Sequence, residues 1–357
     1  MAAGESWPAI RPGNRFRPAY NPAMTISTRI ARWLGCLLVV AGLLAGCASG
    51  NSRHESISLD SPTAAAPWQF GPIKGQALST AHYAIFTTTA NPSIRSNLGS
   101  FMEAARTHYA ALTGLPEPAR KDEPWTIYLL ATRPEWAALT QKITGEQAPI
   151  YLSVENGGYC FAGVCVFWDI TPLATYGVAS HEGMHQFLHH RTRQSLPSWA
   201  EEGLASLCEG FSMQPRSVRF TPERNILRYN SLRIAILSGR WRTTAQLLNM
   251  DAAENVRGPM GHTGEYYAQL WAMLLLIHSE PQYNAGLRRM VADAVAGRLD
   301  KELKFDARAW VRLQRNARLY NQTLSPRAFA HYIDADTARF EQRYQQFARE
   351  LVGLGKR

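Results

Sequence analysis

The pattern His-Glu-x-x-His, formed by His181, Glu182 and His185, constrains this chain more than any other feature. Histidines four residues apart on a helix lie one turn apart on the same face. Two neutral imidazoles placed in this way can bind one Zn²⁺ ion, and the adjacent glutamate can then take a proton from a bound water. Because so short a pattern also occurs by chance, a metal site and an accidental match are both open at this point.

The residues around the pattern predict the helix that this geometry needs. Thr171-Pro172 is a favourable helix start, and apolar residues follow at roughly helical spacing. The helix is predicted to end at His189-His190-Arg191, where cations favour the C-terminus, before Pro197. His189 continues the spacing of four, but three histidines over two turns are too far apart along the axis for one ion. We therefore interpret His189 and His190 as capping or solvated residues.

A catalytic zinc site usually has three protein ligands and an open fourth position, so a third ligand is needed. The segment Leu196–Ala205 offers two adjacent glutamates, Glu201 and Glu202. Ser198 and Glu201 have the spacing of a capping box, which gives Glu201 a role at the helix start. Glu202 is then the better ligand candidate, although the pattern fits equally well a surface carboxylate in the first turn of a helix.

A family resemblance bears on this choice. The pattern His-Glu-x-x-His followed closely by Trp199-Ala200-Glu201-Glu202-Gly203-Leu204-Ala205 resembles the gluzincin zinc peptidases, and most closely the bacterial peptidase-MA-like proteins. The resemblance implies that His181, His185 and Glu202 bind Zn²⁺ and that Glu182 is the catalytic base.

The same resemblance implies two further groups in the site. One is a tyrosine at the start of a later helix, which hydrogen-bonds the oxyanion. Tyr267 matches best and Tyr266 is its rival, while both also fit a role as core aromatic residues; His262 is a third candidate donor. The other is a carboxylate one turn after the ligand glutamate, which orients a histidine. Ser206 stands at that position, so the orienting group is either weaker or supplied from elsewhere.

The N-terminal region predicts export. Within residues 24–50, Arg29 and Arg32 precede an apolar stretch and then small residues, which is typical of a secretory signal. Leu44-Ala45-Gly46-Cys47 resembles a bacterial lipobox, which implies a lipid on Cys47 and a place in the cell envelope facing the periplasm. Since no acidic residue follows Cys47, the resemblance favours the outer membrane. Ordinary cleavage nearby is the alternative.

Charge gives no sign of a nucleic-acid partner. Residues 1–46 carry five arginines and one glutamate, which is +4 of the formal net charge of +10, so the chain from Cys47 onward carries +6. This charge is spread along the chain, and no run of Lys and Arg with interleaved aromatic residues indicates a nucleic-acid surface.

The cysteines fit an oxidising compartment. Cys160 and Cys165 flank a tight hairpin turn at Ala162-Gly163, which predicts a facing pair with a Cα separation of about 4.5 Å. This separation suits a disulfide, which we predict. A metal site is the weaker interpretation, because no second cysteine pair completes it. Cys208 is left as a buried thiol.

The predicted fold class is α+β: a small mixed sheet with helices lies in front of a zincin-like helical catalytic region and a helical C-terminal part. The predicted organisation is an N-terminal extension with a lipoprotein signal peptide (1–46), a flexible tether (47–80), an α/β subdomain with an edge-strand hairpin (81–170), a zinc-binding catalytic helical subdomain (171–280) and a C-terminal helical region (281–357).

Strands are predicted at 82–89 and 125–131, and helices at 96–115 and near 223–238, 264–279, 283–297, 305–319 and 336–353. The strand around Val164–Phe167 is predicted to border the cleft and bind peptide by strand addition, with a plain core hairpin as the alternative.

Together these features predict a membrane-tethered zinc peptidase that acts on peptides or proteins. Two alternatives stay open: a zinc-binding or scaffold lipoprotein without catalysis, and a structural envelope protein in which the pattern is accidental. No feature of the sequence separates endopeptidase from aminopeptidase action or indicates an oligomeric state.

Overall fold

The computed structural model describes residues 55–60, 63–116, 123–155, 157–250 and 262–355. Within these ranges the fold is α+β, as predicted. The predicted signal peptide and the lipobox at Cys47 lie outside the described residues. Among the helices of the described ranges, none combines the length and the apolar character needed to cross a membrane.

A six-stranded mixed sheet forms the N-terminal half, in the order β2-β3-β4-β5-β7-β6. Its strands are β2 (Ala64–Phe70), β3 (Ile73–Ser79), β4 (Tyr83–Thr87), β5 (Trp125–Leu130), β6 (Gly158–Phe161) and β7 (Val164–Trp168). The central strands β4, β5 and β7 are parallel, and the outer pairings are antiparallel. β5 is an almost continuous apolar run because its neighbours and the covering helices bury both of its faces.

Helices connect and cover these strands. They are α1 (Pro92–Thr113), α2 (Arg133–Thr144), α3 (Ala148–Leu152) and α4 (Pro172–Arg191). α1 begins before the predicted position 96, because Asn91 caps it by accepting a hydrogen bond from the backbone N–H of Ser93 and Pro92 follows. α4 occupies the predicted span from Thr171 to Arg191.

The flexible tether predicted for 47–80 differs from the structure over much of its described length. β2 and β3 form a regular hairpin, and β3 pairs onward with β4. The Ala-, Pro- and Gly-rich composition suggests a linker, but Trp68 packs on Phe86 with ring centroids 5.4 Å apart. Gly75 lets β3 lie close to the end of β4, since a Cβ at Gly75 would lie 2.2 Å from the carbonyl oxygen of Thr87. Tertiary pairing therefore outweighs local composition here.

A second, three-stranded antiparallel sheet comprises β1 (Ile57–Ser58), β8 (Phe211–Gln214) and β9 (Ser217–Phe220) in the order β1-β9-β8. The sequence interpretation did not include it. Because β1 has two residues and lies far from β9 in sequence, no local pattern indicates their pairing.

The regular structure in the rest of the described residues is helical, apart from β8 and β9. Its helices are α5 (Ser198–Leu207), α6 (Ile226–Leu237), α7 (Thr244–Asn249), α8 (His262–Ser279), α9 (Pro281–Ala296), α10 (Leu299–Glu302), α11 (Ala307–Gln314), α12 (Ala317–Tyr332) and α13 (Thr337–Leu351). The single helix predicted at 305–319 is instead two, because Asn316 caps α12 by accepting a hydrogen bond from the backbone N–H of Leu319.

α8 is the central helix of this half and packs against α5, α6, α9 and α13. From Glu265 to Ile277 every residue is buried except Tyr267, which is half-buried. A helix that is apolar on nearly all sides belongs in a core. The exception at Tyr267 marks the side of α8 that faces the candidate site.

Candidate metal centre

α4 presents His181 and His185 on one face, as the spacing predicts. Thr171 caps the helix by accepting a hydrogen bond from the backbone N–H of Ala174. Gly183, between the two histidines, lets α1 approach closely: a Cβ there would lie 2.4 Å from the hydroxyl oxygen of Tyr109. That hydroxyl donates a hydrogen bond to the carbonyl oxygen of Ser180 at 2.8 Å. Packing against α1 thus holds the histidine-bearing turn in place.

α5 brings Glu202 to the same point. The predicted capping box is wrong, because the N-cap is Pro197, which makes no side-chain capping bond. Glu201 instead accepts a hydrogen bond from the backbone N–H of Leu196 at 3.0 Å. Gly203 lets α5 lie directly on α8, since a Cβ there would lie 2.3 Å from side-chain atoms of Leu274.

His181, His185 and Glu202 form a group that could hold a metal ion. Nε2 of His181 lies 3.3 Å from Nε2 of His185. Oε2 of Glu202 lies 3.4 Å from the first nitrogen and 3.5 Å from the second. Ligand atoms about 2.0–2.1 Å from a tetrahedral ion lie about 3.3–3.4 Å from each other. The three atoms therefore have the spacing of three ligands around one ion with a fourth position open.

The chemistry of these atoms also fits a metal. The side chains are only 11% (His181), 17% (His185) and 13% (Glu202) exposed. Oε2 of Glu202 is fully buried and accepts no hydrogen bond of ordinary geometry from the described residues. Its polar neighbours are the two imidazole nitrogens at 3.4 and 3.5 Å, so a cation bound between the three atoms would satisfy this buried carboxylate oxygen more fully.

Charges within the centre hold it in its ionised form. Burial raises the pKa of Glu202, but the charges of His185 and His181 outweigh it and bring the pKa far below its ordinary value. Burial lowers the pKa of His181, but contacts with Glu202 and Glu209 raise it to about 9. His185 behaves in the same way, with the charge of Glu202 raising its pKa to about 10. Without a metal, two imidazolium ions thus face the carboxylate of Glu202, and the imidazolium of His181 also contacts that of Glu209.

A group of polar residues that the sequence did not predict orients His181. Oε1 of Glu209 lies 2.7 Å from Nδ1 of His181, which leaves Nε2 to face the open point of the centre. Glu209 is itself held by Arg228, which donates from Nε at 2.7 Å and from Nη2 at 2.6 Å. Asn225 donates a further hydrogen bond to Glu209 at 2.8 Å. The orienting carboxylate that Ser206 cannot provide is thus supplied three residues later, by Glu209.

Glu182 lies beside the ligands and is 8% exposed. Burial raises the pKa of its carboxyl above the ordinary value, although His181 and His185 oppose this. Its backbone carbonyl oxygen accepts a hydrogen bond from the thiol of Cys165 at 3.2 Å, which ties β7 to α4. A raised pKa brings a carboxyl closer to the range that suits a general base at neutral pH.

Among the predicted tyrosines, Tyr267 is the one that contacts the centre. Its ring centroid lies 5.8 Å from that of His181, and the guanidinium of Arg228 lies 5.0 Å from its centroid. Burial raises its pKa well above the ordinary value, so the phenol stays protonated and can donate. Tyr266 is fully buried in the core. The side chain of His262 lies outside the described residues.

The cysteine prediction is half confirmed. Cys160 and Cys165 are directly opposite each other in the β6–β7 hairpin, as predicted. Both are free thiols, so the predicted disulfide is wrong for this structure. Cys165 instead donates to Glu182, and burial raises the pKa of its thiol well above the ordinary value, which disfavours the reactive thiolate. Cys208 is a buried thiol, as predicted.

The strand predicted to bind peptide by addition is also corrected. β7 pairs with β5 on one side and β6 on the other, so its backbone has no free edge. β6 is the edge strand of the hairpin and, among the described strands, pairs only with β7. It runs beside α4, since a Cβ at Gly158 would lie 3.1 Å from Val178.

Known proteins add nothing to this description. No protein-family model, no curated protein and no solved structure matches the chain. The site therefore stands on its own geometry: two imidazole nitrogens and one carboxylate oxygen converge, with a second carboxyl and a phenol beside them.

Proposed function

We propose that this chain is a zinc-dependent peptidase of gluzincin type. One observation carries the proposal: the ligand atoms of His181, His185 and Glu202 have the mutual spacing of a three-ligand tetrahedral site. Two histidines, one glutamate and an open position form a donor set typical of catalytic zinc. The resemblance of the surrounding motif to gluzincins supports the same assignment.

The proposed metal is zinc because the donor set is combined with the tetrahedral spacing of 3.3 to 3.5 Å between the ligand atoms. Imidazole nitrogen suits zinc, copper, iron and nickel, whereas Mg²⁺ and Ca²⁺ prefer oxygen ligands in larger numbers. When bound, zinc would polarise the substrate carbonyl and lower the pKa of a water molecule toward about 7. Glu209 and Arg228 would fix the ring of His181 for this purpose.

The chain's own groups would move the proton and position the substrate. The Glu182 carboxylate takes a proton from the attacking water and returns it to the leaving amine nitrogen. The hydroxyl of Tyr267 donates a hydrogen bond to the carbonyl oxygen as negative charge develops there. Burial of Glu182 keeps this transfer away from bulk solvent.

The proposed substrate is an extended peptide segment. β6 offers an unpaired strand edge among the described strands and lies against α4. A peptide that adds to this edge gains backbone hydrogen bonds whatever its side chains. Such binding fits a peptide or protein substrate and uses no cofactor beyond the metal.

The proposed location is the periplasmic face of the cell envelope, with a lipid on Cys47 as the tether. The lipobox-like segment Leu44-Ala45-Gly46-Cys47 supports this proposal.

The test is the substitution Glu182→Gln, assayed on a library of internally quenched peptides. We expect zinc content to stay at the wild-type level and turnover to fall below detection, because the amide cannot accept the proton. Glu123→Gln, at an exposed position outside the centre, is the matched control and should leave turnover unchanged. Undiminished turnover in Glu182→Gln would contradict the mechanism, and no turnover by wild type on any peptide would favour a zinc-binding protein without catalysis.

A further inference from the structure

One side of α6 carries an exposed apolar stripe. Ile226, Leu227, Ile234 and Leu237 are 59%, 64%, 53% and 64% exposed, respectively. At about 100° per residue these positions fall within one sector of the helix, with Asn230 between them. They account for four of the seven large apolar residues with exposed side chains among the described residues. Such clustering on one helix differs from apolar residues scattered singly over a surface.

The stripe faces away from the protein. The opposite side of α6 buries Leu232 and Ala235 and directs Arg228 inward to Glu209. α6 is therefore apolar on two opposite sides, and only one of them has a partner among the described residues. A surface helix normally places polar residues on its outer side, so this stripe indicates a second apolar environment.

The stripe lies close in the chain to the point where the N-terminal segment joins the fold. β1 pairs with β9, and the side chain of Arg219 donates hydrogen bonds to the hydroxyl of Ser56. β9 leads through one 3-10 turn into α6. Ser56 follows Cys47 by only nine positions, a length of chain that spans about 30 Å at most. A lipid on Cys47 would thus keep this part of the fold near the membrane.

We propose that the α6 stripe docks on the phospholipid surface to which the chain is tethered. The inference rests on the lipid anchor at Cys47 that belongs to the proposed function. Arg219 of β9 and Arg224 of the turn before α6 are exposed and favour an anionic headgroup layer, and the exposed Glu223 beside Arg224 offsets part of this charge. Apolar side chains inserted into the headgroup region would fix the orientation of the fold on the membrane to which the lipid on Cys47 attaches it.

A membrane fits the stripe better than a second copy of the chain. Stable protein interfaces use about 20–30 residues on each side, whereas the stripe offers four large apolar side chains on one helix. Shallow insertion into the headgroup region has no such requirement. Docking in this way would place α6, followed by Arg228 and Glu209, between the lipid and the metal centre.

The test uses the unlipidated chain from Ala48 onward, which retains every described residue. Its partition is measured by co-sedimentation with vesicles of phosphatidylethanolamine and phosphatidylglycerol, beside vesicles of phosphatidylcholine alone. We expect wild type to bind the anionic vesicles, and Leu227→Ser/Leu237→Ser to weaken the partition coefficient at least about tenfold. Leu319→Ser, at an exposed leucine of α12, is the matched control and should bind like wild type.

Several outcomes overturn the inference. Wild type that binds neither vesicle, or a double variant that binds as well as wild type, excludes docking by the stripe. A dimer in sedimentation velocity that the double variant loses assigns the stripe to self-association instead. Zinc content measured on the same samples, and mass spectrometry of Cys47 in the cellular protein, report separately on the metal centre and the anchor, so their failure is distinguishable from that of the stripe.

Discussion

Oε1 of Glu209 lies 2.7 Å from Nδ1 of His181, and the same carboxylate accepts hydrogen bonds from two nitrogens of Arg228. This pair sets the tautomer of His181, because a proton on Nδ1 that is donated to a carboxylate leaves Nε2 free to bind a metal. The charge of Arg228 and the hydrogen bond to His181 outweigh burial and hold the pKa of Glu209 well below its ordinary value. The carboxylate therefore stays ionised at neutral pH.

The first prediction concerns this orienting pair. We expect Glu209→Ala to weaken zinc affinity about 10–100-fold, the usual effect of losing an orienting partner. Glu209→Gln should lose less, because the amide oxygen can still accept the hydrogen bond from His181. Affinity is measured by competition with a chromogenic chelator, and Glu123→Ala serves as control. Equal affinities for wild type and Glu209→Ala would remove Glu209 from the centre.

The second prediction concerns protons. In the metal-free protein the pKa values of His181 and His185 are raised from 6.5 to about 9 and about 10. Both imidazoles are therefore protonated at pH 7 and must lose their protons to bind zinc. We expect zinc binding at pH 7 to release about two protons, measured by titration calorimetry in buffers of different ionisation enthalpy. The absence of any buffer dependence would contradict the assignment.

The sign of the stability effect follows from the same pKa values. A histidine whose pKa is higher in the folded than in the unfolded chain stabilises the fold below the unfolded value of 6.5. This contribution is lost as pH rises through 9 to 10. Metal-free protein should therefore unfold more easily at pH 10 than at pH 6.

The third prediction concerns the oxyanion donor. We expect Tyr267→Phe to retain zinc and to lower kcat about 100-fold, because one hydrogen bond to the developing charge is lost. Tyr266→Phe is the matched control, one residue away and fully buried, and should leave kcat close to wild type. The kcat values of the two variants are compared by steady-state kinetics on the peptide of the library that wild type cleaves fastest. The reverse result would assign the role to Tyr266.

The fourth prediction concerns the packing that carries Glu202. A Cβ on Gly203 would lie 2.3 Å from side-chain atoms of Leu274, so Gly203→Ala must push α5 away from α8. We expect a loss of about 1–3 kcal/mol in the free energy of unfolding, together with weaker zinc binding. Gly177→Ala is the matched control: it lies inside α4 with nothing within 4 Å of the added Cβ, and should be neutral or stabilising. Denaturant titration measures both.

Local signals in the sequence predict part of the site. Thr171-Pro172 and the cationic end predict α4 over its full length, and the spacing of four predicts that His181 and His185 share a face. The role of Glu202 is not predicted in this way, because the local pattern fits a metal ligand and a surface carboxylate equally well. Its assignment depends on the family motif, and the structure brings it to the two histidines through the close packing at Gly203.

What the sequence does not predict depends on contacts between distant segments. Glu209 lies beyond the end of α5 at Leu207, and the turn that follows brings its carboxylate into contact with His181. Arg228 comes from another helix, and its contact with Glu209 has no sequence signal. In the same way β1 pairs with β9, which lies about 160 residues further along the chain. A composition typical of linkers concealed β2 and β3, whose order comes from pairing with β4.

The most direct test of the account is the metal content of the chain from Ala48 onward, measured by elemental mass spectrometry after zinc is supplied and excess zinc is removed. Wild type is compared with Glu202→Ala and with Glu201→Ala as the adjacent control. We expect one zinc ion per chain in wild type and in Glu201→Ala, and no bound zinc in Glu202→Ala. Wild type without bound metal, or a Glu202→Ala variant that retains its full zinc content, would contradict the three-ligand centre.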